Sequence, residues 1–215
     1  MPIVALIKET CEDLISLYQK NPTRTKLLFP SYRKGENRIS EQEARFCFAA
    51  AVERGTEYRY SVETPTLETY SFTDGGGKIS AQTDFTLWDL DGKTKEFNIE
   101  FKAHNPEPKS IEKDIEKLVR EETDGVWFHL FKNVDQGTFP ALAGKFEEAL
   151  LKHGQSRVRG LFFAVCVLEK GITLLGRLPA TARNQSSLTA FFNDGSALIK
   201  NPHLGTVGDW VILIP

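Results

Sequence analysis

The chain has 215 residues, enough for one well-cored domain, and a composition of 40% hydrophobic and 26% charged residues excludes a disordered or fibrous polymer. Its formal charge is −2, which excludes a basic nucleic-acid coat, so any nucleic-acid contact has to come from a local patch. No stretch approaches roughly 20 apolar residues and no basic, then apolar leader opens the chain, so a soluble, cytoplasmic protein with no membrane contact is expected. Cys11, Cys47 and Cys166 are odd in number and lack paired metal-ligand spacing, and they read as buried free thiols of a reducing compartment.

In chain order, Ile3, Ile7, Cys11, Leu14, Ile15 and Tyr18 recur at helical spacing, which predicts an amphipathic helix over 3–19, ended by Asn21-Pro22. Residues 23–38 form an irregular basic connection with Arg24, Lys26, Arg33, Lys34 and Arg38 against Glu36 alone. Such a run is either a solvated loop or a patch that contacts phosphates. Ser40 followed by Glu43 is a capping box opening a second helix. Glu43 either caps that helix or reaches inward from the face it shares with Phe46, Cys47 and Ala50.

Residues 58–66 and 67–72 read as two strands separated near Pro65, and 73–78, with three glycines, as a flexible turn. The stretch 83–104 is the most informative. It reads as a hairpin in which Phe97, Ile99, Phe101 and Ala103 alternate with Asn98, Glu100, Lys102 and His104. Glu100 and Lys102 therefore stand on one polar face. The face of Asp84 depends on the turn. A two-residue Asp91-Gly92 loop would pair Asp84 with Ile99 on the apolar side, whereas a three-residue Leu90-Asp91-Gly92 loop with left-handed Gly92 pairs it with Asn98 on the polar side, the register expected here. By themselves Glu100 and Lys102 also fit a solvated ion pair.

Residues 109–122 predict a charged helix with Ile111, Ile115, Leu118 and Val119 on its core face and Lys113 and Lys117 together on one side. The run 125–131 predicts a buried strand entered by a crossover. Further on come a helix over 139–153, an apolar hairpin of 160–168 and 172–178, an irregular 181–206 with a short helix near 187–192, and a last strand at 210–214. His104 shares the parity of Glu100 and Lys102, though it also reads as an ordinary core or surface histidine, and the four histidines have no ligand spacing.

An acid on one strand with Glu-x-Lys on the next, placed in the order helix, strands, hairpin, helix, strand, resembles the PD-(D/E)xK nuclease superfamily. The resemblance covers about the middle half of the chain, and no proline precedes Asp84, where the family often has one. It implies an α/β fold with a restriction endonuclease-like αβββαβ core over about 40–132. A central mixed sheet would be flanked by helices, all within a single domain extended by the N-terminal helix and by a C-terminal hairpin and strand. It implies Mg²⁺, with Mn²⁺ as a substitute, held by Asp84, Glu100 and the Phe101 carbonyl. Lys102 would position or activate water, and Glu43 would complete the site, with Glu41 as its rival on the same helix. Lys113 and Lys117 would serve the site or, with Arg33, Lys34 and Arg38, contact nucleic acid. The activity implied is a metal-dependent nuclease, on DNA more than RNA, with a homodimer left open. The alternative is an inactive protein of the same fold that binds nucleic acid or a protein partner.

Overall fold

The computed structural model describes residues 2–21, 24–55, 57–70, 79–154 and 157–214. Helix α1 (Ile3–Tyr18) buries Leu6, Ile7, Cys11 and Leu14, the stripe that its 3.6-residue period provides. Helix α2 (Glu41–Arg54) starts where Glu43 Oε2 accepts hydrogen bonds from both the Ser40 backbone N–H (2.9 Å) and the Ser40 hydroxyl (2.6 Å). Its buried face is Ala44, Cys47, Phe48 and Ala51; Phe46, expected on that face, is exposed.

Strand β1 (Arg59–Tyr70) is continuous where the sequence suggests two strands. Pro65 leaves only a register shift between Pro65 and Thr69, which an edge strand tolerates because a missing N–H there breaks no buried ladder. The strands β2 (Ile79–Trp88) and β3 (Lys95–Ala103) follow, then α3 (Pro108–Arg120), β4 (Asp124–Phe131) and α4 (Thr138–His153). The chain finishes with β5 (Leu161–Val167), β6 (Ile172–Leu178), α5 (Gln185–Lys200), β7 (Thr206–Val207) and β8 (Trp210–Ile214). The glycine turn expected at 73–78 lies outside the described residues, as does the end of the strand expected before it.

All eight strands form one sheet in the order β1-β2-β3-β4-β5-β6-β8-β7. Pairing is antiparallel from β1 to β3, parallel for β3–β4 and β4–β5, and antiparallel from β5 onward. The two parallel joints are the places where a helix, α3 and then α4, carries the chain back across the sheet. On one face α1 and α2 pack over Phe85, Ile99, Phe101 and Phe128, with all three free cysteines in that layer. On the other, α3, α4 and α5 pack over Trp127, Phe163 and Trp210. The protein is thus an α/β structure with a mixed sheet between two helical layers. Among the described residues no helix is long and apolar enough to cross a membrane.

Two expectations are corrected. Helix α5 spans 16 residues, where only a short helix near 187–192 was expected. Its Asn193-Asp194-Gly195-Ser196 segment reads as a loop, yet Gly195 lets the Trp210 ring lie where a Cβ would be only 2.9 Å from it. The 83–104 hairpin closes with Asp89 N–H donating to Thr94 O (3.0 Å), so its loop has four residues and not three. The Asp89 carboxylate accepts from the Lys93 and Thr94 amides, and Gly92 takes φ 71°. A bulge between Leu87 and Trp88 then skips Glu96, giving Leu87–Phe97, Thr86–Asn98 and Phe85–Ile99. Each change moves the register by one residue. Together they put Asp84 level with Glu100, and not Asn98, while keeping it off the Phe85–Ile99 core face.

Candidate functional site

Strands β2 and β3 stay paired as far as Phe85–Ile99 and then part. Asp84 stands at the fork, where its Oδ2 accepts from the Phe101 backbone N–H at 2.9 Å. The N–H and C=O of one strand residue point to the same side, so the Phe101 carbonyl faces this gap too. On β1, Glu63 falls opposite Asp84, between the Val62–Phe85 and Thr64–Thr83 pairs. Its φ of 49° is unusual for a residue with a Cβ. Arg45 of α2 bridges the two acids: Nη1 is 2.9 Å from Glu63 Oε1 and Nη2 is 2.9 Å from Asp84 Oδ1.

Glu100 is fully buried on the α3 side of β3. Lys117 Nζ lies 2.6 Å from its Oε1 as an ion pair, and Oε2 has no hydrogen-bond partner among the described residues. The same ammonium is 2.8 Å from Asp114 Oδ1 and donates to the Gln82 carbonyl at 3.0 Å. Asp114 Oδ2 in turn holds Lys102 Nζ at 2.7 Å. The result is an alternating chain, Glu100–Lys117–Asp114–Lys102, with two negative and two positive groups.

Burial pushes the Glu100 carboxyl well above the usual carboxylate range; the Asp114 and Asp84 charges add to that push and Lys117 opposes it. Burial disfavours the charge on Lys117 and on Lys102, but their acidic neighbours outweigh it and hold both ammonium groups above the ordinary lysine value. The residues expected on the strands are therefore brought together: Asp84, Glu100, Lys102 and the Phe101 backbone share one corner.

The helix acid is a different matter. Both partners of Glu43 Oε2 are at Ser40, and Oε1 lies 3.9 Å from Arg38, so Glu43 spends itself on the helix start. Glu41, one turn before Arg45, is the acid of α2 that feels the site. Its carboxyl is raised by burial and by Asp84, against the pull of Lys102 and Arg45. Lys113 and Lys117 are one turn apart on α3, but Lys113 is exposed and Lys117 is buried. Lys117 belongs to the interior of the site and presents no ammonium to an external phosphate. Arg33 and Lys34 are exposed on the turn closed by Gly35 N–H donating to Tyr32 O, and Arg38 is exposed beside them. His104 contacts the Ile39 carbonyl through Nε2 at 2.6 Å.

Asp114 and Arg45 complete the site without having been expected there. Asp114 had a signal: it occupies the i+3 position of the apolar stripe Ile111, Ile115, Leu118, where a charge is out of place. Lys117 and Glu121 continue that polar seam at i+3 and i+7, and Glu121 is buried, accepting from the Leu67 and Glu68 amides and the Tyr70 hydroxyl. Nothing in the sequence distinguishes Arg45 from a surface arginine.

No family model, curated protein or solved structure matches the chain. Among the described residues, no group of three or more His, Cys, Asp or Glu side chains is placed to hold a metal ion. The oxygens of this corner are two carboxylates, Asp84 and Glu100, and the backbone carbonyl of Phe101.

Proposed function

We propose that the protein is a metal-dependent nuclease of the PD-(D/E)xK type, with a restriction endonuclease-like core running from α2 through β4, hydrolysing phosphodiester bonds in nucleic acid, DNA in preference to RNA. The observation that carries this reading is Glu100 Oε2, a fully buried carboxylate oxygen with no hydrogen-bond partner among the described residues, on the strand whose Phe101 N–H binds Asp84 and near enough to Asp84 to feel its charge. Burying such an oxygen unpaired is costly, and a hard cation would satisfy it. Further support comes from the antiparallel β1–β2–β3 meander, the α3 crossover and the parallel β3–β4 joint.

Asp84, Glu100 and the Phe101 carbonyl are the residues that would hold Mg²⁺ or Mn²⁺, an all-oxygen set of the kind these ions take. Bound there, the ion would acidify a water and polarise a phosphoryl oxygen. The rest falls to the chain. Lys117 sets its positive charge against Glu100 and favours the ionised carboxylate, which burial alone would protonate. Asp114 fixes the Lys102 ammonium beside Glu100, where it can orient water and stabilise negative charge growing on the phosphoryl oxygens. Glu41, and not Glu43, is the α2 carboxylate that completes the acidic shell. Water oxygen bonds to phosphorus, the bridging P–O bond breaks, and the departing alkoxide takes up a proton. Arg33, Lys34 and Arg38 are the exposed cations suited to hold flanking phosphates.

The test is Mn²⁺ titration by calorimetry of the wild type and Glu100→Gln, with metal-dependent plasmid cleavage alongside. Glutamine keeps the volume of the buried side chain. The nuclease reading expects binding and cutting that Glu100→Gln and Asp84→Asn both abolish; full cutting by either variant overturns it. A second reading, an inactive protein of this fold that binds nucleic acid or a partner, is favoured by one observation. Arg45 and Lys117 already pair with Asp84 and Glu100. It expects no heat with Mn²⁺ in either protein.

A further inference from the structure

A polar cavity lies at the edge of the sheet where β5 begins and β6 ends, away from Glu100 in mid-β3. Its volume is about 440 Å³, within the range of small-molecule sites, and Arg159, Arg177 and Arg183 line it together with the apolar Val158, Leu161 and Leu178. The three arginines come from three segments: the approach to β5, the end of β6 and the β6–α5 connection. Backbone bonds fix the first two segments against their neighbours. Arg159 N–H donates to Thr123 O, Gly125 N–H to Gly160 O and Arg177 N–H to Asp209 O.

The guanidinium groups are held without being consumed. Arg177 lies over the Phe162 ring at 5.5 Å, which places it on the α1/α2 face of the sheet, opposite the Glu100–Lys117 network. Arg183 Nε donates to the Ala180 carbonyl at 2.9 Å and leaves its two terminal nitrogens for other partners. Among the described residues no carboxylate oxygen comes within 4.0 Å of any of the three guanidinium groups. Asp124 is near, since a Cβ on Gly160 would lie 2.8 Å from its Oδ1 and 3.5 Å from Arg177 Nη2, so it steadies Arg177 across the space glycine leaves. Asp209 also lines the cavity. Three positive charges against these two negative ones leave about one in excess, in a chain whose net charge is negative.

Planar arginine forks match the oxygens of a phosphate two at a time, and the apolar wall offers a surface to the remainder of the ligand. We propose that this cavity binds the phosphate group of a ligand about the size of a nucleoside monophosphate, independently of the metal-dependent chemistry proposed for the Glu100 corner. The phosphate could belong to a free nucleotide or to a nucleic-acid strand.

The experiment is calorimetry of the full chain in EDTA, which removes metal binding and cleavage from the readout. The probes are inorganic phosphate, adenosine monophosphate and a short single-stranded oligonucleotide, each against the wild type, Arg177→Gln and Arg183→Gln. Both arginines are exposed, so the variants are expected to keep the wild-type melting curve. The expected result is saturable binding of the monophosphate, tighter than inorganic phosphate and weakened about tenfold by either substitution. Oligonucleotide binding with the same sensitivity to both variants, without monophosphate binding, supports the phosphate site and assigns its source to a strand. No saturable heat with any of the three probes up to about 10 mM, or equal affinity in wild type and both variants, overturns the proposal.

Discussion

Replacing Lys117 by methionine removes the ammonium but keeps a long apolar stem, and the network around it sets the size of the effect. Among the described residues Glu100 would lose its only cation within ion-pair distance, while Asp114 would keep Lys102. Breaking a buried pair from one side costs about 3–5 kcal/mol, and because Glu100 can take up a proton the lower end applies, about 3 kcal/mol. In a protein of this size that lowers Tm by roughly 6–12 °C. The pH dependence has a definite sign. Glu100 already titrates higher folded than unfolded, and without Lys117 it rises further. Between the two values the folded state holds the extra proton, so stability is present below the unfolded carboxylate range and is lost as pH rises through the folded value. The deficit of Lys117→Met must then grow as pH rises past the wild-type folded value, where Glu100 has ionised in the wild type and not yet in the variant. Glu100→Gln alone strands Lys117 less severely, since Asp114 Oδ1 and the Gln82 carbonyl remain, and the double variant removes both charges. Urea unfolding followed by tryptophan fluorescence measures all four proteins. The double variant should be more stable than the summed singles predict, by about 1.5 kcal/mol or more. Additive singles, or a deficit that does not grow with pH, would refute the buried pair.

The two acids of α2 separate in the same way. Glu43→Ala should lower stability by about 1 kcal/mol through the lost capping box and leave the proposed metal-dependent cleavage unchanged, whereas Glu41→Gln should leave Tm alone and reduce that cleavage; melting curves and plasmid nicking read both. His129 is fully buried, its Nδ1 accepting from Trp127 Nε1–H, so Nε2 carries the proton donated to the His104 carbonyl. Burial pushes its pKa down to about 3, so its contribution is present above the usual histidine range and is lost as pH falls toward that value. His129→Gln, which keeps a donor, should flatten the acid limb of a stability-against-pH curve. Gly176→Ala should lower stability by about 2 kcal/mol, measured by urea unfolding, because its Cβ would sit 2.5 Å from the Trp210 ring in a packed layer.

The elements themselves were legible from local patterns. Ser40 and Glu43 mark the start of α2, the Ile111–Ile115–Leu118 stripe marks the core side of α3, and the β3 alternation puts Glu100 and Lys102 on one face. Each of these rests on spacing within a few residues, which helix and strand geometry convert directly into a face. Helix α5 was not legible to its full length, since Gly195 is unfavourable in a helix until the Trp210 ring packs against it.

What only the tertiary structure decided is everything that depends on a partner distant in sequence. The face of Asp84 rested on the parity of two one-residue shifts, a longer turn and a bulge at Leu87–Trp88, and neither has a marker in the strand itself. The proposal of Glu41 over Glu43 rests on which side of the first turn of α2 meets Asp84 and Lys102, not on helix propensity. Asp114 and Lys117 interrupt the apolar stripe of α3, but what they pair with shows only when α3 is laid against β3. There their buried charges pair with Glu100 and Lys102.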